Sequence, residues 1–190
     1  MRKWFMLIVG IGLGVLANVS LAGEGSSLEV WSVDPLVKVF RDAEPVSARL
    51  FTRVARGEHA SFQVVVRSEK SIKQLSAWPS PLVHEKDANR RLMPRPARFV
   101  GYVPVSIDIP RPPSNPLRKL PADFPDPLLE KKAIDVPAGQ AQPVWVTVKV
   151  PLETEPGIYR GRLKLACTIE GQPVEAETEL ALRVYPATVD

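Results

Sequence analysis

Three carboxylates fall within eight residues of the stretch DFPDPLLEKK: Asp123, Asp126 and Glu130. Hydrolysis of a glycosidic bond needs two carboxyl groups on opposite sides of the scissile bond, roughly 5 to 9.5 Å apart, and Asp123 and Asp126 are near enough in sequence to be weighed for that task. Asp126, however, precedes Pro127, and aspartate before proline initiates turns because its side chain bonds nearby backbone donors. The pair also closes PRPPSNPLRKLPADFPDP, residues 110 to 127, which holds seven prolines. Proline restricts its own φ and disfavours helix in the residue before it, so the segment reads as an extended, stiff connection and its carboxylates as part of that connection. So long a connection inside a compact domain is usually functional or an interface. Phe124, Asp126 and Leu128 are its expected domain-interface residues.

Other chemistry finds little support. His59 and His84 are the two histidines, and neither sits in a ligand spacing such as HExxH, so no metal is expected. Arg56, Glu58 and His59 surround Gly57 and read as a turn with solvated charges. No G-x-S-x-G supplies a serine nucleophile. Neither phosphate-cradling glycine pattern is present, and GIGLG at residues 10–14 belongs to the amino-terminal apolar run, so no cofactor is expected. Cys167 alternates with Leu165 and Ile169 on an apolar strand face, which predicts a buried free thiol. Aromatic residues offer a binding chemistry instead. Trp145 shares the polar face of its strand with Thr147 and Lys149, where an exposed indole makes a stacking platform for sugar, and Tyr102 and Trp78 are further candidates for carbohydrate contact. The competing reading folds the proline-rich connection over Trp145, since large aromatics are mostly buried.

Export is expected. Arg2 and Lys3 precede an uncharged apolar run from Trp4 to Leu16, and Ser20 and Ala22 supply the small residues of a cleavage site, which together read as a secretory signal peptide over residues 1–22. The run is shorter than the ~20 residues of a membrane span, so a secreted or periplasmic product with no membrane attachment is expected. Removing it takes away Arg2 and Lys3 and no carboxylate, so the formal net charge falls from +4 to +2. Lys and Arg are spread along the chain, which argues against a nucleic-acid footprint.

Residues 23–190 read as one all-β domain. Twenty prolines punctuate short runs rich in Val, Ile, Leu, Phe, Tyr and Trp, which predicts a two-sheet antiparallel β-sandwich, immunoglobulin-like or jelly-roll-like. Strands are expected near residues 28–33, 36–40, 47–52, 60–68, 72–77, 97–107, 144–150, 158–170 and 174–185. Alternation is cleanest in HASFQVVVR, with Phe62, Val64 and Val66 on one face, and in VWVTVKV, with Val144, Val146, Val148 and Val150 on one face. For the last two strands a two-residue turn at Gly171 and Gln172 sets Leu163 opposite Leu180, Leu165 opposite Thr178 and Cys167 opposite Ala176. On the other face it sets Lys164 opposite Glu179, with Arg162 diagonal to it. Pro173 stands against this turn, because it cannot donate to the ladder. Earlier in the hairpin Pro156 and Gly157 make a turn and Gly161 admits a close neighbour.

The pieces ARGEHASFQVVVR, FVGYVPV, FPDPLLE, GQAQPVWVTVKVPLETEPGIYRGRLKL and LALRVYP follow one another between Trp31 and Pro186. In that order they resemble the N-terminal β-sandwich domain of proteins similar to glycoside hydrolase family 123. The resemblance implies an accessory domain ahead of a (β/α)8 barrel, whose adjacent Asp-Glu pair acts on N-acetylated hexosaminides by substrate assistance. The chain reaches VYPATVD about where such a barrel would begin, so the barrel is expected to be absent and its catalytic pair has no counterpart here. The expected function is a non-catalytic accessory domain that supports or orients a catalytic barrel as its partner. The alternatives are a free-standing carbohydrate-binding module with a glycan partner, and a structural or adhesive module.

Overall fold

Alternating valines and other large apolar residues form extended chain here because branched side chains pack well on a pleated surface with one face buried. The computed structural model describes residues 28–46, 51–106 and 115–189. The expected signal peptide at 1–22, residues 47–50 of one expected strand and 107–114 in and around the proline-rich connection lie outside them. The strands are β1 (Glu29–Val33), β2 (Thr52–Arg56), β3 (His59–Arg67), β4 (Ile72–Pro79), β5 (Leu82–His84), β6 (Asp87–Leu92), β7 (Arg98–Val105), β8 (Ala122–Leu129), β9 (Ile134–Val136), β10 (Gln142–Lys149), β11 (Gly157–Ile169) and β12 (Gln172–Thr188). They form a two-sheet β-sandwich. A five-stranded sheet runs β1-β3-β10-β7-β8, and a seven-stranded one runs β2-β12-β11-β4-β9 with β5 and β6 attached beside β11. All pairings among the described strands are antiparallel except β2 with β12.

The core lies between the sheets. Phe62, Val64 and Val66 of β3, Phe99 of β7 and Val144, Val146 and Val148 of β10 meet Ile72, Leu75, Leu163, Leu165, Cys167, Ile169, Leu180 and Leu182 of the other sheet. The alternation read from β3 and β10 is therefore the inward face of one sheet, and Cys167 is a buried free thiol whose pKa burial pushes up.

Proline-bearing segments depart from expectation. Residues 122–127, read as part of the connection, belong to β8, which pairs with β7. Pro125 and Pro127 are tolerated because β8 is an edge strand and its register with β7 shifts between Val100 and Tyr102. Leu36–Phe40, expected as a strand, is not one. Asp34 Oδ1 accepts the Leu36 N–H at 2.8 Å and Val37 N donates to Asp34 O, a turn around Pro35. From this turn, residues 34–46 run as a strap across the outer face of the five-stranded sheet. Trp31, Val39, Val65 and Ala141 form a second small core beneath the strap. The Gly57 turn is present, but Glu58 is no merely solvated charge, since its carboxylate accepts the Ala55 N–H at 2.7 Å.

The β11–β12 hairpin keeps the expected faces and shifts its partners. Its turn is Glu170-Gly171, with φ of 50° and 81°, and positive φ at both central residues is what a two-residue turn between twisted strands requires. Ile169 then faces Gln172, Leu165 faces Ala176, Cys167 faces Val174 and Arg162 faces Glu179 directly. Pro173 explains the correction. A turn at Gly171-Gln172 would make Pro173 part of the hydrogen-bonded pair closing the turn, whereas opposite Thr168 it stands in the next, non-hydrogen-bonded pair. The two-residue shift leaves each apolar set on its own side, because side chains alternate with period two.

Gly161 has the close neighbour its sequence context predicts: a Cβ there would lie 2.8 Å from the Pro81 carbonyl oxygen. Gly161→Ala is therefore expected to lower stability by about 1–3 kcal/mol through overpacking, and Leu165→Ala by about 2–5 kcal/mol through loss of core contacts. Urea unfolding checks both, and an unchanged midpoint for Gly161→Ala would count against the close approach.

Candidate functional site

The strap and the outer face of the five-stranded sheet enclose a groove of about 220 Å³ lined by Trp145, Val100, Leu36, Val37, Leu128 and Asp126 among others. Trp145 faces outward because Val144 and Val146 on either side face the core, and it stands beside Gln63 of β3 and Arg98 of β7. The strap supplies one wall and β8 the other. Leu36 is 93% exposed, Val37 51% and Leu128 36%, so the rim is aliphatic and open to solvent.

Hydrogen bonds fix the strap over the sheet. Gln63 Nε2 donates to the Asp34 and Val37 carbonyls at 3.1 and 3.0 Å. The Tyr102 hydroxyl shares its proton between the Val39 and Ala141 carbonyls at 3.1 and 3.2 Å. Lys38 Nζ donates to the Pro125 carbonyl at 3.0 Å. Arg41 lies 4.1 Å over the Tyr102 ring and also bonds Asp123 and Gln140. Phe40 packs edge-on against Phe124, and Arg118, which covers Phe40, forms a two-point ion pair with Asp42. Burial pushes the Tyr102 phenol up to about 12, against the opposing influence of Arg41. It stays a neutral donor throughout the physiological range.

The sequence candidates thus divide. Trp145, Asp126 and Leu128 meet in one groove, which joins an expected sugar contact to two expected interface residues. Phe124 lies beside it and holds the strap through Phe40. Tyr102 is also a strap anchor, with Arg41 over its ring. Trp78 is on β4 in the other sheet, away from these residues. Asp123, Asp126 and Glu130 are not gathered around a common point, since each pairs with its own cation: Arg41, Lys38 and Arg98 respectively. All three carboxylates are largely exposed, and surface pairs of this kind are worth at most about 1 kcal/mol. Among the described residues no group of three or more His, Cys, Asp or Glu side chains could hold a metal ion. Residue-by-residue reading missed Gln63 and the strap; Asp34-Pro35 was the available signal for the turn.

Two outcomes follow from this pinning. Tyr102→Phe is expected to cost roughly 1–3 kcal/mol, because two carbonyls lose their donor, and to speed amide exchange in residues 37–43; unchanged exchange there would contradict the pinning. The hydrogen bonds from Arg118 hold the Asp42 carboxyl below its usual range. Its contribution is therefore complete above about pH 4 and is lost as pH falls through the lowered value. Proteolysis within the strap should rise over that acidic window and lose this pH dependence in Asp42→Asn.

No curated protein matches in sequence. Among solved structures, a family 123 glycoside hydrolase from Clostridium perfringens, described for glycolipid glycan hydrolysis, superposes with a TM-score of 0.54 at 15% identity, over 85% of this chain and 27% of that one. The chain therefore spans about a quarter of that enzyme's length. A looser likeness, TM-score 0.40 at 13% identity over 86% of this chain and 96% of the other, is to the major subunit of aggregative adherence fimbriae type I from Escherichia coli. The profile of the glycoside hydrolase 123 N-terminal domain matches residues 43–167. That match covers more than half of the sequence, and the chain belongs to the glycoside hydrolase 123 N-terminal domain family.

Proposed function

We propose that this sandwich is the non-catalytic accessory domain of an exported glycoside-hydrolase-like protein, and that the strap face seats a catalytic barrel and orients it. Export through the signal peptide at residues 1–22 is part of the reading. The observation that carries it is the groove rim: Leu36, Val37 and Leu128 expose aliphatic surface around a tryptophan floor. Exposed apolar surface grouped around a groove and edged by charged side chains marks interaction sites. Lys38 and Asp126 give the rim its polar edge, as protein interfaces have.

Family membership supports the identity of the partner, since an N-terminal domain of a glycoside hydrolase has a catalytic part to adjoin. Three carboxylates around the groove, Asp42, Asp123 and Asp126, tether the strap to its neighbours. Hydrolysis is accordingly assigned to the partner barrel.

The experiment pairs this chain with a separately expressed catalytic barrel of a family 123 glycoside hydrolase and measures association by calorimetry. Leu36→Asp and Leu128→Asp should each weaken it at least tenfold, about 1.4 kcal/mol, with the sandwich of Leu36→Asp melting as before because that side chain is 93% exposed. Equal association by the variants, or none by the unaltered chain, would sink the reading.

A further inference from the structure

The outer face of the seven-stranded sheet holds a second aromatic feature with different surroundings. Trp78 of β4 is 55% exposed. Leu75 and Ala77 of the same strand pack toward the core, so the indole projects from the opposite side of the sheet. Lys164 of β11 lies directly across from it, and Glu177 of β12 lies across from Lys164. Neighbouring strands are about 4.8 Å apart, which makes Trp78, Lys164 and Glu177 a straight row about 10 Å long.

This row is polar apart from its indole. Glu177 is held by Arg162, whose side chain is 71% exposed. Arg160 beyond it pairs with both Glu85 and Glu179. Lys164, by contrast, makes no ion pair among the described residues, so its ammonium is free to donate. On the far side of Trp78 no described strand pairs with β4, because β9 meets β4 only at Ile72 and Leu75. Pro79 blunts that edge against strand addition, since it has no N–H to offer.

A lone large indole among hydrogen-bonding side chains suits a ligand with one apolar face and a polar perimeter. A pyranose ring has both: axial C–H bonds pack on the indole, while hydroxyls reach outward to donors and acceptors. A protein partner would call for grouped aliphatic anchors such as those around Leu36, and among the described residues no large exposed aliphatic side chain lies beside Trp78 on β4 or β11. Acidic and basic side chains alternate along the platform, so no single ligand charge is favoured.

We propose that Trp78, Lys164 and Glu177 form a binding surface for a neutral glycan, with one pyranose ring stacked on Trp78 and the next lying over Lys164 and Glu177. The spacing fits, as a pyranose is about as wide as one strand interval. Lys164 donates to a ring hydroxyl and Glu177 accepts from one. The site is on the sheet opposite the strap, so glycan and catalytic partner can be held together, and neither reading depends on the other.

The test places the full chain on an array of neutral β-linked hexose and N-acetylhexosamine oligosaccharides beside sulfated and sialylated probes, then measures the tightest neutral probe by calorimetry. Saturable binding to neutral probes is expected. Trp78→Ala should weaken it at least tenfold and Lys164→Ala severalfold, while Trp145→Ala and Leu36→Asp stay within twofold of the unaltered chain. Both substituted residues of the row lie on the surface, and unchanged thermal melting checks that the variants fold. No binding to any neutral probe, or equal binding by Trp78→Ala, overturns the proposal. Loss of barrel association in Leu36→Asp with glycan binding intact separates the two readings.

Discussion

The Gln63 side chain spends both amide hydrogens on the carbonyls of Asp34 and Val37, and the structure around the groove depends on that expenditure. A strap laid on a sheet brings backbone carbonyls away from water, and each one left without a donor costs free energy comparable to a lost hydrogen bond. Gln63 and Tyr102, on two different strands, meet four of those demands in the strap and the adjoining Ala141 segment. Strand β3 is thereby buried on both faces, with Val64 toward the main core and Val65 toward the second, smaller one.

The strap gives the two outer faces of the sandwich different characters. Over the five-stranded sheet it adds an apolar rim and turns Trp145 into the floor of a groove. On the seven-stranded sheet Trp78 is exposed and stands in register with the charged side chains of Lys164 and Glu177. The same residue type therefore sits in two environments. An aliphatic surround suits a protein surface, whereas a surround of ammonium, guanidinium and carboxylate groups suits hydroxyl-rich ligands. This contrast separates the two proposed contacts.

Ion pairs have a minor part in holding this arrangement and a larger one in directing it. Arg41, Arg118 and Lys38 are partly exposed, so their pairing energies are small. Their geometry still matters, because Arg41 spans the strap, Tyr102 and β8, and Arg118 joins the ring of Phe40 to Asp42. Long cationic side chains cover aromatic faces here, which removes Tyr102 from the residues available to a ligand.

Period-two alternation in the sequence was enough to determine the β class, the inward faces of β3, β10, β11 and β12, and the buried state of Cys167. These are local properties, set by which side chains must leave water. Proline pointed both ways: Pro173 disfavours a turn at Gly171-Gln172, while Pro125 and Pro127 mask an edge strand whose pairing depends on β7 being alongside. Tertiary structure alone decided that residues 34–46 cross a sheet, that Trp145, Asp126 and Leu128 share one groove, and that Trp78 lies on the other side. The reason is physical: the contacts span dozens of residues of sequence, and no local pattern encodes which distant carbonyl Gln63 or Tyr102 will reach.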